Sequence, residues 1–227
     1  MPSHLDAVLW DMDGTLVDTE PYWFEAEKAL VLSSGATWDP AIIPHLIGRP
    51  LDVSADLIRE WFGLTISPTD LVDRMLDDVM DRMRTRGVPW RPGAHELLLE
   101  LAAASVPCAL VTMSWRRMAQ IVLDELPPGT FDVVVTGDEV SNGKPHPEPY
   151  LKGADHLGAV ITRCVAIEDS PTGIASAEAA GARVLAVQAH LPIPAAPGRS
   201  RVETLTGMSV ADLEEIASGA VKDLLHA

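Results

Sequence analysis

The chain has few cysteines, few lysines and no long apolar run, and each shortage excludes something. Two cysteines in 227 residues, Cys108 and Cys164, cannot make a disulfide framework. Each opens an apolar stretch that reads as a core strand, so both are expected to be buried free thiols. No apolar stretch approaches the ~20 residues that span a bilayer, and the N-terminus shows no basic segment followed by an apolar run and a small-residue cleavage site. A cytoplasmic protein is expected. Basic residues number 17 against 33 acidic ones, a formal charge of −16, which repels nucleic-acid backbones and anionic lipid alike. Neither nucleic acid nor membrane is an expected partner. The same charge does not exclude a small anionic substrate, because a metal or local cations can reverse the field at one site. What is plentiful is apolar surface, 47% of residues, ample for a hydrophobic core.

Short β-like runs alternate with longer helical ones, the rhythm of an α/β fold with a parallel sheet. Strands are expected at Ala7 to Trp10, Cys108 to Thr112, Val133 to Val135, Cys164 to Ile167 and Val184 to Val187. Almost a hundred residues separate the first two, far more than a crossover needs. Helical periodicity fills that interval at Tyr22 to Leu32, Pro40 to Leu46, Leu51 to Phe62 and Pro68 to Arg84, broken at Gly48-Arg49-Pro50 and Gly63 to Ser67. This divides the chain into a core of residues 1–17 and 91–227 and an inserted helical cap of residues 18–90, with hinges at Asp18 to Pro21 and Gly87 to Pro92. Helices also follow at Ala94 to Ala104, from near Trp115, and at Pro171 to Ala180, the last with Ser170 as N-cap and Gly181 as terminator.

Four stretches at strand ends carry chemistry. The first strand runs into Asp11-Met12-Asp13-Gly14-Thr15. Read alone, this fits a solvated turn as well as a pair of working carboxylates. At the second strand end, Thr112 offers a hydroxyl and Met113 and Ser114 follow. Backbone N–H groups here suit a phosphoryl oxygen, and Ser114 serves equally as a helix N-cap. Lys144, in Asn142-Gly143-Lys144-Pro145, is one of only four lysines and supplies a point charge. After the fourth strand, Glu168 and Asp169 are adjacent. Four carboxylates gathered at the C-terminal ends of parallel strands are costly without a cation, and an oxygen-rich site that also binds phosphate suits Mg²⁺.

In this order and strand context the four motifs resemble the haloacid-dehalogenase-like (HAD) phosphohydrolases, and the resemblance spans essentially the whole chain. It implies a Rossmann-like α/β core with an inserted α-helical cap, close to the subfamily of β-phosphoglucomutase and many small phosphatases. By the same resemblance Asp11 is the nucleophile that forms an aspartyl-phosphate, and Asp13 is the general acid and base. Thr112, Met113 and Lys144 hold the phosphoryl group. Asp11, Asp13 through its backbone carbonyl, and Asp169 bind Mg²⁺, with Glu168 a ligand through water or a partner behind the ligands. Arg49 is the cap candidate for touching a second anionic group, with a solvated loop arginine as the alternative. The expected activity is hydrolysis of a small phosphorylated metabolite, with a phosphosugar mutase as runner-up and a non-catalytic phosphometabolite binder as the reading from another class. The mutase has a histidine where this chain has Trp23, and loss of such polar contacts favours hydrolysis. Oligomeric state stays open, with a monomer favoured.

Overall fold

The computed structural model describes residues 5–47 and 49–225. Six strands, β1 (Ala7–Trp10), β2 (Cys108–Val111), β3 (Val133–Val135), β4 (Cys164–Glu168), β5 (Arg183–Val187) and β6 (Ser200–Val202), form one sheet in the order β3-β2-β1-β4-β5-β6. Every pairing is parallel. A parallel sheet is covered on both faces, and the strands read accordingly: β1, β2 and β4 are buried at every residue. Alternation sorts their side chains. Val8, Trp10, Leu110, Val165 and Ile167 join one apolar cluster, and Ala7, Leu9, Ala109, Val111 and Ala166 the other. Both cysteines are free and buried, as expected, and burial pushes each thiol up to about 12.

After β1, and before the chain returns to Val17 at Trp90, come the helices α1 (Glu20–Ser33), α2 (Leu51–Phe62) and α3 (Pro68–Arg86). α3 is the centre of this insertion, packing against both α1 and α2. Its first turn is capped by Ser67, whose hydroxyl accepts from the Asp70 N–H at 3.1 Å. The two connections to the sheet run side by side. Asp18 N–H donates to Pro89 O at 2.7 Å, Arg91 N–H to Leu16 O at 3.0 Å, and Val17 bridges Trp90 in antiparallel fashion. Helices α4 (Ala94–Ala103), α5 (Arg116–Asp124), α6 (Glu148–Leu157), α7 (Pro171–Ala180) and α8 (Val210–Ala217) complete the chain.

Three expectations need correction. Pro40 to His45 is a 3₁₀ segment and not an α-helix, because Pro44 inside it has no N–H to give. Strand β6 escaped the apolar pattern: it is three residues, Ser-Arg-Val, at the sheet edge, held to β5 on one side while Arg201 pairs with Asp223 at 2.8 Å. Trp115, not Ser114, is the N-cap of α5. Gly48, read as part of the break before α2, lies outside the described residues.

Candidate active site

The sheet order reverses direction at β1 and β4, and in such sheets the groove beyond the strand C-termini is where ligands bind. All four motifs end there. Asp11 is fixed by its N–H to Ile167 O at 3.0 Å, and Thr112 by its N–H to Val135 O at 3.0 Å. Beyond Asp11 the chain turns back on itself, Leu16 N–H reaching Met12 O at 2.9 Å and Gly14 N–H reaching Val17 O at 2.7 Å. Gly14 has φ +87°, and a Cβ there would sit 2.2 Å from Asp169 Oδ2. Only glycine lets this turn lie against that carboxylate.

Lys144 is buried at the centre of the charges. Its Nζ donates to Asp11 Oδ1 at 2.6 Å, to Glu168 Oε1 at 2.6 Å and to Val111 O at 3.0 Å. Three donors meet three acceptors. Burial lowers the lysine's proton affinity, but the two carboxylates outweigh it, so its pKa is raised and it stays charged. Glu168 is filled as completely. Oε1 also accepts from Tyr150 OH at 2.7 Å, and Oε2 takes the N–H groups of Asp169 and Ser170 at 3.1 and 3.3 Å and the Ser170 hydroxyl at 3.2 Å. Asp169 accepts from the Thr15 hydroxyl at 3.2 Å. Burial, with Glu168 next, pushes Asp11 up to about 7, and burial with Asp11 next raises Asp169 well above the carboxylate range.

Asp13, half-buried, turns its carboxylate to a different set of partners. Ser114 Oγ donates to it at 2.7 Å, Thr112 Oγ1 at 3.4 Å, Trp23 Nε1 at 3.4 Å, and the Thr19 hydroxyl closely. Thr19 and Trp23 belong to the start of the helical insertion, which therefore touches Asp13 directly. Above the aspartates lies a cleft lined on the insertion side by Glu20, Trp23, Glu27, Leu46, Arg49 and Ser54. Burial pushes Glu20 up to about 8, with Asp13 the next cause, and Glu27 up to about 8, with Glu20 the next cause.

The structure thus brings Asp11, Asp13, Thr112, Met113, Lys144 and Asp169 to one cleft, with Arg49 at its exposed edge. Met113 accepts the Lys144 N–H on Sδ at 3.2 Å. Sequence reasoning missed Tyr150, Glu20 and Glu27, and left Ser114 undecided. Tyr150 carries no motif. The two glutamates did leave a signal, since each stands on the apolar stripe of α1 with Trp23, where a charge is out of place.

Oxygens of Asp11, Glu168 and Asp169 lie within 4.8 Å of one another, all three buried. An all-carboxylate set in which burial raises the proton affinities of Asp11 and Asp169 is the chemistry that a hard divalent cation suits, because the cation replaces protons that burial otherwise demands. The residues fit such an ion.

A doubly wound parallel sheet, a carboxylate-bearing turn after its central strand and a helical insertion over the cleft define a class of α/β protein with its site at the strand ends. The family model described as haloacid dehalogenase-like hydrolase matches residues 8–187, and the chain belongs to that family. It is 33% identical over 178 residues to the phosphorylated carbohydrates phosphatase of Thermotoga maritima, covering 78% of this chain and 82% of that one. Identity to hexitol phosphatase B of Escherichia coli K12 is 30% over 230 residues, 99% of this chain and 98% of the other. Among solved structures, CbbY from Rhodobacter sphaeroides in complex with phosphate shares the fold with a TM-score of 0.84 at 23% identity, covering 92% of this chain and 99% of that one. Among the described residues no helix is long and apolar enough to cross a membrane.

Proposed function

We propose that the protein is a Mg²⁺-dependent phosphatase that hydrolyses a small-metabolite phosphomonoester through an aspartyl-phosphate on Asp11. The observation that carries this reading is the contact between Lys144 Nζ and Asp11 at 2.6 Å, at the floor of a cleft that also holds Asp13 and Asp169. Two phosphatases among the relatives support it.

In the first half-reaction a carboxylate oxygen of Asp11 attacks phosphorus and the bond to the ester oxygen breaks. Asp13 protonates the departing oxygen, so the leaving group is a neutral alcohol. In the second, water attacks phosphorus and gives a proton to Asp13, the bond to Asp11 breaks, and inorganic phosphate leaves. Lys144 holds Asp11 in place and balances charge gathering at phosphorus. Thr112 and the N–H groups beside Met113 take phosphoryl oxygens. Glu168 positions Lys144, because both of its oxygens are already occupied. When bound, Mg²⁺ held by Asp11, the Asp13 carbonyl and Asp169 supplies positive charge that offsets the phosphate against these carboxylates. Residues 18–90 act as a cap domain on the paired connections at Val17 and Trp90, excluding bulk water when closed.

The test is phosphate release from a panel of phosphorylated metabolites, with Mg²⁺ and with chelator, for the wild type and Asp11→Asn. Metal-dependent release that Asp11→Asn lowers by at least a thousandfold supports the reading. Conversion of β-glucose 1-phosphate to the 6-phosphate without net release would make the protein a mutase, and silence across the panel would leave only a binding role.

A further inference from the structure

Glu20, Trp23 and Glu27 stand three and four residues apart on α1, one stripe of that helix, and all three line the cleft above Asp11 and Asp13. The phosphatase chemistry uses neither glutamate. Both are buried, and among the described residues neither pairs with a lysine or arginine. Glu27 is 5% exposed, and its Oε2 is shut from solvent with no hydrogen-bond partner at all. An acceptor left in that state destabilises the free protein, and a ligand that donates to it removes the cost. A carboxyl group accepts from two neighbouring hydroxyls at once, and Ser54, which lines the same cleft, adds a hydroxyl of its own.

The charge around the cleft narrows the ligand further. Asp11, Asp13, Asp169, Glu20 and Glu27 face it together, against Lys144, whose three donors are already engaged, and Arg49 at the edge. A second phosphate at the Glu20 and Glu27 end would meet carboxyl groups there and no buried cation. A neutral leaving group rich in hydroxyls meets acceptors. The apolar neighbours Leu46, Leu51 and Met75 suit the C–H edges of such a carbon chain.

Resting on the phosphatase reading above, we infer that Glu20 and Glu27 are specificity-determining residues that accept hydrogen bonds from a polyhydroxylated leaving group, so that the substrate class is the monophosphate of a neutral sugar or polyol. Trp23 lies between them and ties this end of the cleft to Asp13 through its indole N–H.

The experiment measures kcat and KM of the wild type, Glu27→Ala and Glu27→Gln, with Mg²⁺, on sorbitol 6-phosphate, glucosamine 6-phosphate, glucose 1,6-bisphosphate and phenyl phosphate. In the wild type kcat/KM for sorbitol 6-phosphate should exceed that for phenyl phosphate and for the bisphosphate by at least tenfold, a result that needs no variant to fold. Glu27→Ala should raise KM for sorbitol 6-phosphate at least tenfold, and lower its kcat/KM at least tenfold more than that for phenyl phosphate. Glutamine still accepts from a hydroxyl, so Glu27→Gln should recover most of the loss. Equal losses on both compounds, or none, would overturn the inference. So would a Gln variant as poor as Ala together with a preference for glucosamine 6-phosphate, which would mark an ammonium site. A wild type that cleaves phenyl phosphate but not sorbitol 6-phosphate overturns this inference and leaves the phosphatase reading standing. Release from no compound overturns both.

Discussion

Lys144 is the single buried cation among Asp11, Glu168 and Asp169, and its environment sets what replacing it does. Lys144→Ala would leave two carboxylates buried without their counter-charge, a change that costs about 3–5 kcal/mol when one partner of a buried pair is removed. A drop of that size in unfolding free energy, read from urea denaturation without metal, is the expected outcome. Glu27 behaves in the opposite sense. Burial raises its carboxyl from 4.5 to about 8, with Glu20 the second cause, so between those values the folded protein holds a proton that the unfolded chain releases. Its contribution is fully present below pH 4.5 and is lost as pH rises through about 8. Glu27→Gln carries no such proton. Melting curves of metal-free protein should show the variant above the wild type by a few degrees at pH 8.5 and level with it near pH 5, with the wild type falling more steeply between.

The helix α7 shows local preference and tertiary demand pulling apart. Ser170 caps it by accepting from Gly173 N–H at 3.0 Å, and Gly181 ends it in the left-handed conformation, both legible from Ser-Pro at one end and Gly at the other. Gly173 inside it is not a propensity choice. Alanine there would favour a helix by roughly 1 kcal/mol, yet its Cβ would fall 1.8 Å from Glu168 Oε1. Since Glu168 positions Lys144, Gly173→Ala should lower both the melting temperature and kcat, the latter by about a hundredfold. An unchanged kcat with a raised melting temperature would show that Glu168 can step aside. At the same scale, α1 turns Glu20 and Glu27 inward, while Glu25 and Lys28 stay exposed, because its buried stripe faces a cleft and not only α3. Residue type alone assigns a glutamate to solvent, and Glu20 and Glu27 were missed because that preference outweighed their place on the apolar stripe beside Trp23.

For the whole molecule, the excess of acid over base has a measurable consequence. The formal charge is −16, and several of the carboxylates meet in one cleft, so a divalent cation that binds only the folded state should stabilise it strongly. At a hundredfold excess over Kd the gain is about 2.7 kcal/mol, on the order of 5–10 °C in melting temperature for a chain of this length. Differential scanning calorimetry with Mg²⁺ against chelator checks it, and a shift no larger than that given by an equal ionic strength of NaCl would argue against a specific site. The insertion bears on the same cleft, since Thr19 and Trp23 donate to Asp13. Trp23→Phe keeps an aromatic ring, though a smaller one, and removes the donor. It should lower kcat severalfold and leave the melting temperature within a few degrees, as measured by steady-state kinetics and calorimetry.

The positions of strands β1 to β5, the long helical interruption after β1, Asp11, Asp13, Thr112 and Asp169 at strand ends, and Lys144 in the loop after β3 were all legible in the linear sequence. They are written in local patterns: apolar period, strand-end carboxylates, caps and glycines, each decided within a few residues. Tertiary structure alone decided the rest. Ser114 bonds to Asp13 and not to its own helix, Tyr150 closes on Glu168, the three-residue β6 adds an edge to the sheet, and Glu20 and Glu27 face inward. These depend on contacts between residues far apart in the chain, or on which side of a helix meets a cavity. A carboxyl on an apolar stripe marks a charge out of place, but which groups surround it is decided only when the fold brings them there.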